Sequence, residues 1–527
     1  MAAPTTAEIA AGLLYPTFYW SGPVITWSIP TAGSTWPGYS SAEPTNSHYA
    51  TLNAQQAGRV GDAIGLWDRL IATSFVQTND LTATGQIRVA MTDVDALRGH
   101  DVWGYAYSPA FMGGTSITGG DVWLDFDRAS STFAAGQFDF EALLHELGHA
   151  IGLKHSFGEG AVIPTEYDTS RYTIMSYTDY TDDLYRVIEP TADGGITTVS
   201  RYVNASTPMV FDIAAMQSRY GADLTTAAGN TTYTWSQSGP IMEAIYDAGG
   251  IDTFDLSNMT RGSLVDLTPG AYSSIGYFSA SAQAAYWTAL YPWAASFLTT
   301  NFSGPSIYTW SQNVGIAYST VIENIIGSAG NDTLLGNDAD NTISGGAGED
   351  YVRGGLGNDS LTGGAAFDDI NGNQGNDTAR GGDGNDWVVG GKDNDSLMGE
   401  NGDDIVYGNL GNDTCDGGEG NDLIRGGQGD DSLSGGNGND WMSGDRGNDT
   451  LTGGAGADTF HTFSGAGIDR VLDFSYAQGD RVQVDLGTTF TISQSGADTV
   501  VDMGNGDQLI LTGVVASTLP AGWIFTL

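Results

Sequence analysis

The sequence is poor in cysteine, in basic residues and in long apolar runs, and each shortage excludes a class of protein. Its 527 residues include one cysteine, Cys415, so no disulfide can form within the chain. With 18 Lys and Arg against 63 Asp and Glu, the net charge of −45 argues against a nucleic-acid-binding role. No stretch has the length and apolarity of a transmembrane helix. Because no Lys or Arg precedes Arg59, a cleaved secretory signal is not expected.

The most informative stretch runs from His145 to His155 and spells H-E-x-x-H-x-x-G-x-x-H. On a helix, His145 and His149 lie four residues apart and present two imidazoles to one point. Glu146 lies beside that point, where a general base for metal-bound water is needed. Gly152 lets the chain leave the helix through a turn that brings His155 back as a third ligand. Three protein ligands and one open position predict one catalytic Zn²⁺ rather than a structural one.

A methionine-containing segment, Ile174-Met175-Ser176-Tyr177, follows the third histidine. A core helix with satisfied histidines is the competing interpretation of the motif, and this segment argues against it, because the two together are the metzincin pattern. They resemble the serralysin family of secreted bacterial zinc endopeptidases. The resemblance implies that Tyr177 hydrogen-bonds the developing oxyanion. It continues in Phe211–Gln217, in Tyr246–Thr253 and in the glycine-rich repeats described below.

One position departs from that family. Serralysins usually carry proline after the third histidine, whereas this chain has Ser156, as matrixins do. Matrixins, however, lack the turn tyrosine and use a propeptide cysteine for latency. Cys415 lies deep in the repeats and cannot serve that purpose, so the serralysin interpretation is preferred.

Glycine-rich repeats fill residues 327–461, which divide into fifteen nonapeptides of the form G-G-x-G-x-D-x-U-x without insertion. The pattern is typical of a parallel β-roll in which turn carbonyls and aspartates bind several structural Ca²⁺ ions. The sixth position is aspartate except at Asn341. The predicted calcium ligands are Asp332, Asp350, Asp359, Asp368, Asp377, Asp386, Asp395, Asp404, Asp413, Asp422, Asp431, Asp440, Asp449 and Asp458. Asp247 and Asp252 resemble family calcium ligands too, with a structural turn as the equal alternative.

The eighth position of each repeat is apolar or small, which predicts an inward-facing core. Disorder is the competing interpretation of so much Gly, Asp and Asn, and it would apply without calcium, because the carboxylates repel one another and little apolar surface is buried. The predicted core residues are Leu334, Ile343, Val352, Leu361, Ile370, Ala379, Val388, Leu397, Val406, Cys415, Ile424, Leu433, Met442, Leu451 and Phe460.

These landmarks predict an α+β metzincin-type catalytic domain followed by an all-β parallel β-roll. Within the catalytic domain, residues 53–75 and 138–151 have helical character, and Gly120–Asp125 alternates like a strand. In metzincins a strand at this place forms the upper rim of the cleft, where substrate pairs as an added strand. The predicted segments are an N-terminal extension at 1–24, for which a short propeptide is one interpretation, the protease domain at 25–221, a β-rich transition at 222–326, the roll at 327–461 and a C-terminal β segment at 462–527.

Residues 277–312 are read as an aromatic insertion relative to the family, with two interpretations. They form local core, or they form an exposed patch for a partner, a cell surface or an extended substrate. Arg470–Phe474 and Leu509–Leu511 are strand-like. The resemblance implies that a one-step exporter reads the segment 462–527 as an uncleaved secretion signal.

The predicted function is that of a secreted, extracellular endopeptidase that hydrolyses peptide bonds in proteins through zinc-activated water. Zinc is held by His145, His149 and His155, Glu146 moves the proton, and calcium stabilises the roll outside the cell. One alternative is a calcium-binding surface protein or adhesin with a vestigial protease domain. Another is an enzyme that uses the same zinc centre on a substrate other than a peptide.

Overall fold

The computed structural model describes residues 3–36, 39, 49–94, 103–109, 119–158, 160–179 and 183–527. Apolar residues collect in two large cores, one around the histidine motif and one along the repeats. In the described residues, no helix combines the length and apolarity needed to cross a membrane.

The part of the chain up to residue 221 is α+β, as predicted. Its helices are α1 (Thr6–Leu13), α2 (Ala54–Asp68), α3 (Phe138–Ile151) and α4 (Val210–Tyr220), with a 3₁₀ turn at Phe126–Arg128. Its strands are β1 (Val24–Ser28), β2 (Tyr49–Ala50), β3 (Ser74–Gln77), β4 (Ile87–Thr92), β5 (Gly104–Ala106), β6 (Val122–Asp125), β7 (Leu184–Pro190) and β8 (Ile196–Tyr202).

A mixed sheet and two helices form the frame of this domain. Within the described residues the strand order is β3-β1-β4-β6-β5, with β2 paired to β4. The first four strands run parallel and β5 runs antiparallel to β6. Helix α2 begins with a capping box of Asn53 and Gln56 and buries Val60, Ile64 and Trp67. These residues join the core that also receives α3.

Residues 222–326 form short strands and two helices. The strands are β9 (Thr232–Thr234), β10 (Glu243–Ile245), β11 (Thr253–Asp255), β12 (Leu264–Asp266), β13 (Tyr272–Ser273), β14 (Val314–Ile316) and β15 (Asn324–Ile326). The helices are α5 (Ala280–Leu290) and α6 (Ala295–Asn301), joined by a 3₁₀ turn at Pro292–Ala294.

Both helices lie in the predicted aromatic insertion, 277–312. Leu298 and Phe302 form a small core with Ile188 of the β7–β8 hairpin. Tyr286 and Trp293 remain exposed, with Trp293 at 67%. The insertion therefore combines local core with an exposed aromatic surface, and a role in surface attachment stays a prediction.

The repeats form a parallel roll of two facing sheets, as predicted. The strands are β16 (Thr333–Leu335), β17 (Thr342–Ala347), β18 (Tyr351–Leu356), β19 (Ser360–Ala365), β20 (Asp369–Gln374), β21 (Thr378–Asp383), β22 (Trp387–Lys392), β23 (Ser396–Asn401), β24 (Ile405–Leu410), β25 (Thr414–Glu419), β26 (Leu423–Gln428), β27 (Ser432–Asn437), β28 (Trp441–Arg446), β29 (Thr450–Ala455) and β30 (Thr459–Thr462). Even-numbered strands pair in one sheet and odd-numbered strands in the other, because one full turn takes two nonapeptides.

The final segment extends both sheets. Its strands are β31 (Ile468–Val471), β32 (Arg481–Val484), β33 (Thr491–Ser495), β34 (Asp498–Gly504), β35 (Asp507–Leu511) and β36 (Ile524–Thr526), with a 3₁₀ turn at Ala516–Thr518. The even sheet thereby reaches eleven strands, β12 to β36, and the odd sheet fourteen, β9 to β33–β35. The strand predicted at Leu509–Leu511 is confirmed within β35, whereas the one predicted at Arg470–Phe474 begins earlier, at Ile468, and ends at Val471.

The predicted core of the roll is confirmed at every eighth position. Each of these side chains is between 0 and 2% exposed, and Cys415 is 1% exposed. Because successive strand residues point to opposite faces, an apolar residue at this single position is sufficient to line the interior.

Candidate metal centres

The histidine motif lies on the C-terminal half of α3 and in the turn that follows it. The helix begins at Phe138 and ends at Ile151, as predicted, and Gly152 leaves it in a left-handed conformation with φ 114°. A Cβ at Gly152 would come within 2.8 Å of the Phe18 carbonyl oxygen. Glycine is therefore required both for the backbone angle and for this close approach.

The three imidazoles converge as predicted. One nitrogen from each of His145, His149 and His155 lies within 4.8 Å of the others. His149 Nε2 and His155 Nε2 face each other at 3.1 Å. His145 Nε2 is buried and has no hydrogen-bond partner among the described residues. Facing ring nitrogens and a buried unpaired one fit a shared cation such as Zn²⁺.

Backbone carbonyls orient two of the rings. His145 Nδ1 donates to the Ile174 carbonyl at 2.6 Å, and His149 Nδ1 donates to the Leu153 carbonyl at 2.9 Å. This pattern leaves Nε2 of each ring as the metal-binding atom. Burial lowers the pKa of His145 to about 4, so this imidazole is neutral near pH 7, which is the form that binds metal.

Glu146 lies beside the imidazoles in a buried position. Its Oε2 atom has no hydrogen-bond partner in the described part of the chain, and burial raises its pKa to about 8. Its position beside the imidazoles, with one oxygen free, places this carboxyl group where it can exchange a proton with water held between the rings.

Tyr177 lies on the open side of the cluster. Its hydroxyl oxygen lies within hydrogen-bond distance of His155 Nε2, at 2.7 Å, and its side chain is 67% exposed. Burial of the phenol oxygen and the charge of Glu146 raise its pKa, so the hydroxyl keeps its proton. A protonated hydroxyl at the mouth of the site can donate to a substrate oxygen.

The methionine turn lies directly under α3. A Cβ at Gly148 would come within 2.9 Å of Met175 Sδ, so glycine at this position permits the contact. The turn itself is held by Asp212 at the start of α4. Its carboxylate accepts from the Thr173 hydroxyl at 2.5 Å and from the backbone amide of Ile174 at 2.9 Å. The sequence placed Asp212 only in a family-like segment, because its link to residues 173–174 is visible only in the fold.

Ser156, the position that departs from the serralysin pattern, follows His155 directly and connects it to the same turn. Its hydroxyl donates to Asp168, and its amide donates to the Met175 carbonyl at 3.4 Å. The N-terminal segment supports this stretch from the other side, where the amide of Lys154 donates to the Leu13 carbonyl at 2.8 Å.

The strand expected to pair with substrate is a different one from that predicted. Strand β6, within Gly120–Asp125, is buried and has partners on both sides, β4 and β5. Among the described residues, β5 is the edge of the sheet. A Cβ at Gly104 of this strand would lie 3.5 Å from Glu146 Cγ. The prediction was therefore wrong by one strand, because the antiparallel β5 adds outside the parallel strands.

The repeat aspartates form two ladders along the roll. In each of Asp350 to Asp458, one carboxylate oxygen accepts from the backbone amide of the residue 18 positions earlier, as Asp368 does from Asp350 at 2.8 Å. At the end of the ladders the same bond comes from Asp440 to Asp458 at 3.1 Å. The other oxygen is buried without a hydrogen-bond partner in every one of these residues: Asp350, Asp359, Asp368, Asp377, Asp386, Asp395, Asp404, Asp413, Asp422, Asp431, Asp440, Asp449 and Asp458.

Buried, unpaired carboxylate oxygens repeated along a turn edge fit calcium, which is bound by hard oxygen ligands. The glycine that opens each unit makes room for them. A Cβ at Gly345 would come within 2.3 Å of Asp350 Oδ2. Burial also raises the pKa of these carboxyl groups, to about 8 at Asp395, because a buried negative charge is unfavourable. A bound cation would offset this unfavourable energy.

The predicted ligands at the start of the roll differ among themselves. Asp252 resembles the ladder residues, since one oxygen accepts from the Thr231 amide at 2.8 Å and the other is buried and unpaired. Asp332 uses both oxygens, for the amides of Ser263 at 2.5 Å and Ser328 at 2.7 Å. 

Asp247 accepts from the Tyr233 hydroxyl at 2.7 Å and from the Gly249 amide at 3.0 Å. Its geometry therefore matches the structural-turn alternative.

Two ladder residues were missed by the sequence analysis. Asp469 and Asp480 accept from the amides of Asp449 and Asp458, each at 3.2 Å. They are 1% and 2% exposed, and Asp480, like Asp332, uses its second oxygen as well, which accepts from the Ser475 amide at 2.7 Å. They lie 20 and 22 residues after their partners, so the nine-residue register does not reach them.

Comparison with known proteins matches both the region of the histidine motif and the repeats. A matrixin family model matches residues 43–187, and a model of the RTX calcium-binding nonapeptide repeat matches overlapping ranges within residues 326–470. The chain therefore joins a matrixin-family domain to RTX repeats, which is the serralysin-like metzincin arrangement.

The chain is also similar to individual curated proteins over part of its length. The chain is 28% identical to serralysin A of Dickeya chrysanthemi over 307 residues, 54% of each chain. It is 28% identical to the metalloprotease AprA of Pseudomonas entomophila over 320 residues, 56% of each. It is 26% identical to serralysin of Proteus mirabilis over 284 residues, 47% of this chain and 49% of that protein. The chain thus spans about half the length of the curated relatives it matches.

Proposed function

We propose that the protein is a secreted zinc-dependent endopeptidase whose calcium-loaded roll stabilises it outside the cell. The observation that carries the proposal is the convergence of three imidazoles beside a buried carboxylate that lacks a partner. A non-catalytic metal site needs the imidazoles alone. A buried Glu146 costs stability, and a general base is the reason to keep it.

Each residue of the site has a separate role in the proposed peptide hydrolysis. Zinc, held by His145, His149 and His155, would supply Lewis acidity toward water and the scissile carbonyl. Glu146 accepts the proton of the attacking water and delivers it to the leaving amine. Tyr177 donates its hydroxyl to the oxyanion, a contribution of about 3 kcal/mol to lowering the barrier.

Substrate orientation is assigned to β5. An extended peptide that pairs with the outer edge of this strand would run past Glu146, since Gly104 approaches that side chain closely. Main-chain hydrogen bonds of this kind give affinity without selecting a particular side chain. We therefore expect proteins rather than one specific small peptide as substrates.

Residues 3–24 are assigned a structural part in the catalytic domain. Ile9 and Leu13 of α1 are fully buried in the core that contains α3, and Leu14 pairs with Leu153. Removing the segment would expose this apolar surface next to the third zinc ligand. The propeptide interpretation is tested by asking whether purified protein that retains residues 1–24 is active.

The calcium dependence expected of the roll supports a proposal for export and location. In the low calcium of the cytosol the ladders would lack their cations and the roll would stay unfolded and exportable, whereas millimolar calcium outside would fold it. An exporter that reads residues 462–527 and an extracellular location complete the proposal. Secretion assays with and without these residues test it.

The decisive experiment is casein hydrolysis in millimolar calcium by the Glu146→Gln variant. We expect bound zinc and the fold to be retained and kcat/KM to fall by about 10³-fold or more, because the proton acceptor is lost. Glu166 is an exposed glutamate on the loop that follows the histidine motif, so Glu166→Gln is the matched control and should retain full activity. Normal turnover by Glu146→Gln, or activity unaffected by removal of zinc, would refute the proposal and favour the adhesin alternative.

A further inference from the structure

The two sheets of the roll present different surfaces to solvent. The third residue of nearly every nonapeptide is exposed, Ala365 being half-buried, and lies next to its counterparts on neighbouring strands. On the odd sheet this line of residues, here called the acidic row, contains Asp383, Asn401, Glu419 and Asn437. On the even sheet the corresponding line, here called the basic row, is Leu356, Gln374, Lys392, Leu410, Gln428 and Arg446.

The rows also differ in how their polar groups are used. In the acidic row, Asn401 Nδ2 donates to Asp383 at 2.8 Å and Asn437 Nδ2 donates to Glu419 at 2.7 Å. These side chains satisfy one another along the sheet. In residues 183–527, which are all described, no side chain of the basic row forms a protein hydrogen bond or ion pair. Its donors and acceptors remain available to a ligand.

The basic row borders a groove of about 1170 Å³ that crosses the strands. From β18 to β28 it spans six strands, or about 24 Å at the usual strand spacing of ~4.8 Å. Its floor carries Asn373, Asn409 and Asp445, each in a left-handed conformation with φ between 67° and 78°. These side chains recur on every second strand, where the alternating positions are glycine.

The charge of the groove is unusual in a chain with a net charge of −45. Lys392 and Arg446 line it without a partner carboxylate, whereas Arg425 is paired with Asp445 at 2.8 Å. The remaining carboxylate of the lining, Asp338, lies toward the other end, near Gly336. The stretch between β22 and β28 is therefore cationic, and its complement is an anion.

The geometry excludes recognition by strand addition. Each strand from β16 to β32 in the even sheet has a partner on both sides, so no backbone edge faces the groove. A ligand there meets amide, ammonium and guanidinium groups together with the exposed Leu410 and the ring of Tyr407. Amides hydrogen-bond hydroxyl groups, cations bind carboxylates, and ring and aliphatic faces pack on the apolar faces of sugar rings.

We propose that this groove binds an acidic polysaccharide, a linear chain of sugars that carry carboxylates. Such a chain offers hydroxyls and carboxylates at regular intervals over a length that matches a groove with a repeating floor. Binding would hold the roll on a uronate-rich matrix independently of peptide hydrolysis. The proposal does not rest on the zinc centre.

The test is calorimetric titration of the full chain, in millimolar calcium, with hexagalacturonate and with its methyl ester. The two probes share length and hydroxyls and differ in that each carboxylate charge is replaced by a neutral methyl ester. We expect the uronate to bind and the ester to bind at least about tenfold more weakly, as expected when two exposed charge contacts are lost. Hexaglutamate, an acidic peptide of similar charge, should bind no better than the ester.

Substitutions locate the site. Lys392→Gln combined with Arg446→Gln should weaken uronate binding about tenfold while leaving casein hydrolysis and the calcium-dependent circular dichroism unchanged. Adding Tyr407→Ala to this double variant should weaken uronate binding further. Arg380→Gln is the matched control, because Arg380 lies on the odd sheet and pairs with Glu400 at 3.1 Å.

Absence of uronate binding, equal binding of the ester or of hexaglutamate, or binding that survives the double substitution would each overturn the proposal. Loss of casein hydrolysis in the zinc-site variants would not affect it, so the two proposals fail separately.

Discussion

Buried aspartates occur in the catalytic domain and in the roll, but the two regions use them differently. Asp212 is fully buried, and its two oxygens accept from the Thr173 hydroxyl and from the amides of Ile174 and Met209. Each ladder aspartate from Asp350 to Asp458 instead has one bonded oxygen and one that is unpaired. The first pattern is that of a structural brace, whereas the second fits a set of ligands for a cation.

The two regions also distribute their function differently. In the catalytic domain each role is held by one residue, so a single substitution can abolish it. In the roll many aspartates have the same role along the ladders. The loss of one of them should therefore destabilise only its own turn, because the neighbouring turns keep their aspartates. The comparison predicts that removing the cations destabilises the whole roll. It also predicts that replacing one aspartate costs more stability in the catalytic domain than in the roll.

The largest effect is expected from removing calcium. At pH 7 the unpaired carboxylates would be buried without compensation, and we expect the β signal of the roll in circular dichroism to be lost and to return when calcium is added. The measurement is a calcium titration of protein freed of metal by gel filtration. Full β structure in calcium-free buffer at pH 7 would contradict the ladder assignment.

Asp212→Asn should have the next largest effect. The amide NH₂ would face either the Thr173 hydroxyl or the amides of Ile174 and Met209, which leaves buried donors unpaired at a cost of about 2–3 kcal/mol. The methionine turn would loosen, so thermal stability and casein hydrolysis should both fall. Asp193→Asn, at an exposed hairpin position, is the control and should change neither. Unchanged stability of Asp212→Asn would show that the brace is dispensable.

Acid should partly replace calcium in the roll. Burial raises the pKa of Asp359 and Asp368 to about 7 and that of Asp395 to about 8, whereas the unfolded chain titrates near ~3.9. Between about pH 4 and 7 the folded roll then binds more protons than the unfolded chain, so without calcium its stability rises as the pH falls. Circular dichroism of calcium-free protein should show more β structure at pH 5 than at pH 7. A decrease would contradict the sign of these shifts.

The smallest effect is expected from one ladder residue. Asp404→Asn should remove about one calcium ion and cost about 1 kcal/mol, because the neighbouring turns keep their ligands and the strand pairing is unchanged. Calcium stoichiometry and the thermal transition measure this. Asp416→Asn, an exposed aspartate on the same stretch of roll, is the control. Collapse of the whole roll in Asp404→Asn would show that the ladder is not divided into independent sites.

Much of the fold could be predicted because its signals are local or periodic. The zinc helix was predicted with its observed bounds because the motif and the left-handed Gly152 lie within one short segment. The core of the roll was predicted because one residue type recurs at a fixed position. The acidic and basic rows follow an eighteen-residue period that becomes meaningful only when alternate repeats are known to lie on different sheets.

The sequence alone determined the convergence of the three imidazoles, the carboxylate beside them and the register of the aspartate ladders, since each depends on spacings that a helix or a nine-residue turn translates directly into geometry. Only the tertiary structure decided that β5 rather than β6 is the sheet edge beside Glu146, that Asp212 holds the methionine turn, and that Asp469 and Asp480 extend the ladders. These relations join residues whose separation follows no fixed period, so they arise from packing and pairing across the fold rather than from any local pattern.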